Sequence, residues 1–186
     1  MMSKALLLVD IQNEYFPGGK LPLEGSVEAS LKAQEALTHF RNEKLPIIHI
    51  QHITTRPGVP IFIAGTPEIE IHENVKPLPG ELIVQKNFPN SFRDTPLLDN
   101  VKDLGIRQLV ICGNMTHMCI DATTRAAFDH GFDCVVLSDA CATMSLTNDN
   151  LVVPANHVQA SFLAALGWVY AKIVKVDDFL EEIGQR

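Results

Sequence analysis

Cys119 closes the heptapeptide Gly113-Asn114-Met115-Thr116-His117-Met118-Cys119, which follows the apolar run Leu109-Val110-Ile111-Cys112 and opens a helical period. A thiol so placed can act as a nucleophile. Thr116 reads as an N-cap, and the run from Ile120 through Thr123, Thr124 and Ala127 to Phe128 carries a helix that Gly131 can end. Cys119 then falls in the first turn, where unsatisfied N–H groups and the positive end of the helix dipole lower a cysteine pKa. Free cysteines are more often small buried hydrophobes, and this segment alone leaves both readings open.

Two further reactive groups follow apolar runs. Asp10 interrupts Leu8-Val9-Asp10-Ile11-Gln12-Asn13, where its plainer role is to cap a turn. Lys86 ends Leu82-Ile83-Val84-Gln85-Lys86, where its plainer role is that of a solvated strand-end lysine.

The elements that must position these groups are legible as short apolar runs at 5–9, 46–50, 82–85, 109–112, 134–137 and 173–176. Stretches of helical period lie between most of them, at 27–41, 95–104, 116–130 and 158–166, with a last short helix near 178–183. Strands apolar on both faces and alternating with helices predict an α/β fold, a three-layer α/β/α Rossmann-like domain around a mostly parallel sheet. Two segments depart from the alternation, the proline-rich 52–80 and the polar 145–154; both read as irregular loops, which in compact domains are usually functional or mobile. Ligands bind outside the carboxyl ends of such strands, and Asp10, Lys86 and Cys119 all lie there.

With 186 residues, 46% hydrophobic and 20% charged, the chain suits one well-buried domain spanning 1–186. No apolar run reaches the roughly eighteen residues of a membrane span. Asp10 breaks the N-terminal apolar run before a secretory core could form, so a cytoplasmic protein is expected. A net charge of -7 with no basic block argues against nucleic acid and anionic membranes and for a small-molecule partner. The four cysteines lack zinc-site spacings, and Cys112 and Cys134 read as core strand residues.

Three segments together carry a resemblance. Asp10-Ile11-Gln12-Asn13 with Phe16, Lys86 with Ser91-Phe92 and Thr95, and Gly113-x-Met115-Thr116-His117-x-Cys119-Ile120 with Thr123, Arg125, Ala126 and Gly131 resemble the three signature regions of the isochorismatase-like cysteine hydrolases. The match runs through nearly the whole chain in order and spacing. It implies a single domain with a six-stranded parallel sheet. It also implies a triad in which Asp10 is the general base, Lys86 holds the charges and Cys119 attacks a carbonyl carbon to give a thioester. The resemblance further implies an oxyanion hole from the N–H groups of Met115 and Cys119, a cis peptide at Asn114-Met115, and a homo-oligomer. The apolar run Phe162-Leu163-Ala164-Ala165-Leu166-Gly167-Trp168 gives that last expectation weak support.

The sequence departs from the nicotinamidase branch of that family. Where a metal-binding Asp-x-His pair would stand after strand two, His49-Ile50-Gln51-His52-Ile53-Thr54 places His52 at the aspartate position and lacks the histidine. Neither a metal nor any other cofactor is expected, since a single His52 is an incomplete ligand set. Hydrolysis of a C–N bond in a small amide, ureide or imide is therefore the expected activity. The alternatives are cleavage of a vinyl ether, which does not need the cysteine, and a non-catalytic ligand-binding or oligomeric member. Phe16, His52, Phe62, Asn87, Phe88, Phe92, Met115 and His117 are the expected pocket walls. His117 also has a plainer reading, as a polar residue of the first helical turn facing a neighbouring element.

Overall fold

The chain, described by a computed structural model over residues 3–184, is built on six parallel strands. These are β1 (Lys4–Val9), β2 (Ile47–His52), β3 (Leu82–Lys86), β4 (Gln108–Asn114), β5 (Asp133–Ala142) and β8 (Lys172–Val174). Their spatial order is β3-β2-β1-β4-β5-β8. The chain first steps outward from β1 to β3, returns to set β4 against the other side of β1, and then steps outward the opposite way. The order reverses between β1 and β4, the crevice where open α/β sheets bind ligands.

β1 and β4 are buried on both faces because their residues are apolar without alternation, Ala5 to Val9 in one and Leu109 to Cys112 in the other. Helix α1 (Ser26–Asn42) and α5 (Val176–Gly184) pack together on one side of the sheet, with α1 covering β1, β4 and β5. On the other side α3 (Asp121–Asp129) packs on β5 and against α4 (Ala155–Val169). Helix α2 (Leu97–Asp103) is shorter than its periodicity predicts because Pro96 precedes it and the Thr95 hydroxyl accepts from the Leu97 N–H at 3.3 Å.

The segment 145–154 is not wholly irregular. It contains an antiparallel hairpin of β6 (Leu146–Asn148) and β7 (Leu151–Val153), turned at Asp149, whose φ is 51°. Asp and Asn accept that left-handed conformation better than most residues, and Asn148-Asp149-Asn150 carries the signal in the sequence. Segment 52–80 holds two short 3-10 turns, Pro67–Ile69 and Glu73–Val75, and is otherwise loop.

Gly113 is fixed by the sheet itself. It sits opposite Val9 in the β1–β4 register, its φ is +123°, and a Cβ there would lie 2.0 Å from the Val9 carbonyl oxygen. Only glycine allows β4 this close approach to β1 while turning into the loop that carries Cys119.

Candidate active site

Asp10 ends β1 with φ 52°, a region uncommon for a residue with a Cβ, and is wholly buried. Lys86 ends β3 two strands away, and its side chain, also buried, reaches across the end of β2. Its Nζ lies 2.7 Å from Asp10 Oδ2 and donates to Cys119 Sγ at 3.1 Å and to the Phe88 carbonyl at 3.0 Å. His52, the register partner of Lys86 on β2, presents Nδ1 to the same ammonium at 3.2 Å. The Asp10–Lys86 contact is an ion pair closed off from water, both side chains being wholly buried.

Cys119 enters from β4 through an extended Met115 and a single π-turn, Thr116–Ile120, that runs into α3. The Met115 carbonyl accepts from the N–H groups of Met118 at 3.0 Å and Ile120 at 3.1 Å, the latter the five-residue spacing of a π-turn. The peptide Asn114-Met115 is cis. Thr116 is not the N-cap expected from the sequence: its hydroxyl turns away from the helix start toward Gln159 Oε1 at 2.6 Å and the Ala142 carbonyl at 3.2 Å. Gly131 does end the helix, with φ 86° and its N–H on the Phe128 carbonyl.

The electrostatics correct a second expectation. Burial pushes the Cys119 thiol up, the Asp10 charge pushes it further, and Lys86 only partly offsets both. The resting sulfur is therefore a thiol at neutral pH, not the thiolate that a helix start alone predicts. Burial disfavours the charge on Lys86, but Asp10 and Cys119 outweigh it and the ammonium holds its proton more tightly than a free lysine. Burial lowers the His52 pKa, leaving a neutral ring, with Asp10 opposing and Lys86 and Arg56 adding to the shift.

A cavity of about 260 Å³ opens above the sulfur. Of the pocket walls expected from the sequence, His52, Phe62, Asn87 and Met115 line it. Four do not. Phe16 stacks on His72 at 3.6 Å and borders a separate hollow. Phe88 supplies only its carbonyl to Lys86, its ring lying under Arg93 at 3.7 Å. Phe92 packs against His130 and Phe132 in the core. His117 follows its plainer reading: its Nδ1 is 2.6 Å from Thr143 Oγ1, facing the end of β5 rather than the cavity.

The sequence reading missed the wall made by Tyr15, Leu21, Arg56, Val59 and Ile61. These residues are placed by two buried polar side chains. Glu14 accepts from the N–H groups of Lys20 at 3.1 Å and Phe62 at 2.9 Å, joining the loop after β1 to the loop after β2. Gln12 donates to the carbonyls of His52 and Ile69 and accepts from the His52 N–H at 2.8 Å. Among the described residues no group of three or more His, Cys, Asp or Glu side chains is arranged to hold a metal ion, and His49, three positions before His52, turns instead to Glu81 at 2.8 Å.

Residues 4–160 match the isochorismatase domain family model. The chain is 46% identical over 180 residues to the isochorismatase family protein YddQ of Bacillus subtilis, covering 97% of this chain and 100% of that one. It is 32% identical to a streptothricin hydrolase of Streptomyces noursei over 77% of this chain and 56% of the relative. The crystal structure of an isochorismatase-type protein from Oleispira antarctica superposes with a TM-score of 0.93 at 43% identity, covering 96% of each chain.

Proposed function

Because this chain belongs to the isochorismatase family of hydrolases, we propose that it cleaves a C–N bond in a small amide, ureide or imide through Asp10, Lys86 and Cys119. The observation that carries the reading is the meeting of three reactive side chains from three separate strand ends, Asp10 and Lys86 buried behind the Cys119 sulfur that lines one cavity. A carboxylate and an ammonium buried together are costly to maintain, and neither is needed to hold a small apolar thiol in place.

In this reading the carbonyl carbon of the substrate sits over Sγ and its oxygen points at the N–H groups of Met115 and Cys119. Asp10 takes the thiol proton as the C–S bond forms, so a neutral resting thiol suits general-base activation. The developing oxyanion is held by the two N–H groups, donors that commonly contribute on the order of 10²–10³ in rate. The amine departs with the proton held by Asp10, leaving a thioester. Asp10 then removes a proton from water, the hydroxide adds to the thioester, and the sulfur leaves and recovers the proton. Lys86 balances the negative charge as it passes between Asp10 and sulfur.

The partners proposed are a small molecule and other copies of the chain. No helix among the described residues is long and apolar enough to cross a membrane. Assembly is supported by α4, where Trp168 is 88% exposed and Val169 55%, more apolar surface than an isolated helix face usually shows to water. The four cysteines are all unpaired, in keeping with a reducing, cytoplasmic setting.

The test is an ammonia-release screen over small amides, ureides and imides with the Cys119→Ala protein alongside. Loss of turnover with an unchanged melting temperature and no effect of a chelator supports the reading. Retained turnover in folded Cys119→Ala points instead to ether cleavage driven by Asp10.

A further inference from the structure

The cavity above Cys119 has an uneven charge distribution. Its walls include no Asp or Glu, and Arg56 is the one lysine or arginine among them. Arg41, Arg93 and Arg125 each face a carboxylate, at 2.7, 3.7 and 2.9 Å. The Arg56 guanidinium has no hydrogen bond or ion pair with any described residue. Arg107 likewise has no such partner, but it lies exposed just before β4 and lines no part of the cavity.

Arg56 is also held in place by the fold. The Thr54 N–H bonds to the Phe62 carbonyl at 2.9 Å, closing the loop 54–62 on itself, and the Val59 N–H reaches the Arg56 carbonyl at 3.4 Å. Glu14 secures one end of that loop through Phe62. The Asn87 amide secures the other through the Ile53 carbonyl at 2.8 Å. The other lining residues are apolar or neutral, among them Val59, Ile61, Phe62 and Asn87, so Arg56 is the one full positive charge on the cavity wall.

We propose that the substrate is anionic, a small amide bearing a carboxylate remote from its scissile carbonyl, and that Arg56 selects it by binding that carboxylate. A guanidinium matches a carboxylate with two parallel N–H donors, and a neutral analogue leaves those donors with water alone. This inference rests on Cys119 being the nucleophile of the site.

Paired affinity labels test the two independently. N-Iodoacetylglycine and N-iodoacetyl-β-alanine carry a carboxylate beyond a group that alkylates sulfur, and their carboxamides are neutral twins of nearly the same shape. Labelling of Cys119 is followed by peptide mass mapping, with N-acetylcysteine amide as the reference thiol. The expected result is that at least one anionic label reacts about tenfold faster than its twin relative to the reference, a charge-assisted hydrogen bond's worth of selectivity. Arg56→Gln brings that ratio to the reference value, and Arg56→Lys keeps part of it. Equal rates for both twins in the wild type, or a preference unchanged in Arg56→Gln, overturns the proposal. Failure of every label to reach Cys119 in the folded protein overturns the nucleophile reading beneath it.

Discussion

Replacing Lys86 with methionine isolates the buried ion pair. The substitution keeps most of the aliphatic stem and removes a charge 2.7 Å from Asp10, a carboxylate with no exposure to water. Lys86 is its one ion-pair partner among the described residues. Stranding one member of a buried pair costs about 3–5 kcal/mol, and that is the expected loss for Lys86→Met in urea unfolding at neutral pH. Asp10→Asn alone leaves Lys86 with Cys119, His52 and the Phe88 carbonyl, so about 1–3 kcal/mol is expected. The double variant should lose about 2–3 kcal/mol less than the sum, the mark of direct coupling. The Lys86→Met penalty should narrow in acid, where protonation removes the stranded charge. In the wild type the Lys86 proton is held more tightly folded than unfolded because Asp10 and Cys119 outweigh burial. Its contribution is therefore intact below the unfolded lysine pKa of about 10.4 and lost as pH rises through the higher folded value. A loss under about 1 kcal/mol for Lys86→Met, or strict additivity in the double variant, would refute the buried pair.

Asp10→Asn should also separate activation from ionisation: removing the negative charge lets the thiol ionise at lower pH, so iodoacetamide labelling of Cys119 speeds up near neutrality while turnover falls roughly 10²–10⁴-fold. Labelling and turnover that move together would sink the general-base role. Gly113→Ala sets a Cβ 2.0 Å from the Val9 carbonyl at a φ of +123°, and should cost upwards of about 3 kcal/mol, read as loss of soluble protein or a sharp fall in urea midpoint. Light scattering at micromolar concentration should give a multiple of the chain mass and Trp168→Glu should reduce it; a monomeric wild type removes the assembly claim.

The sheet was legible because Ala5–Val9 and Leu109–Cys112 are short, continuous apolar runs alternating with longer stretches of helical period, the pattern of strands covered on both faces. That Asp10, Lys86 and Cys119 could meet was legible because the first two stand at strand ends and the third just beyond one, while their joint role as a triad came only from the resemblance and is a proposal. The pocket walls were not, for a physical reason. Phe16, Phe88 and Phe92 lie close in sequence to triad residues, but their direction is set by packing: Phe16 on His72, Phe88 under Arg93, Phe92 on Phe132. The true wall is assembled by loop closures across long separations, Glu14 to Phe62 and Gln12 to His52 and Ile69. Each is a side chain bonded to remote backbone, which leaves no periodicity to read. A buried Glu and Gln immediately after a hydrophobic strand were the available signal, since such groups stay buried only when their hydrogen bonds are satisfied.

The thiol shows how two correct local arguments can give opposite signs. Entry into a helix favours the thiolate by an amount that reaches at most about 2 kcal/mol in partly buried geometries, and the sequence placed Cys119 there correctly. Burial to 6% exposure beside the Asp10 charge works the other way, and desolvation alone can move a buried group by several pKa units. The larger effect decides the resting state. In the proposed mechanism a sulfur that starts neutral loses its proton during attack, and the carboxylate that raises the thiol pKa is the group proposed to take it. Lys86 holds both ends of that transfer, so moving negative charge from Asp10 to sulfur takes it from 2.7 Å to 3.1 Å of the same ammonium. The ion pair thus survives the proton transfer with its partner exchanged. In that mechanism this is why a costly buried charge belongs in the site.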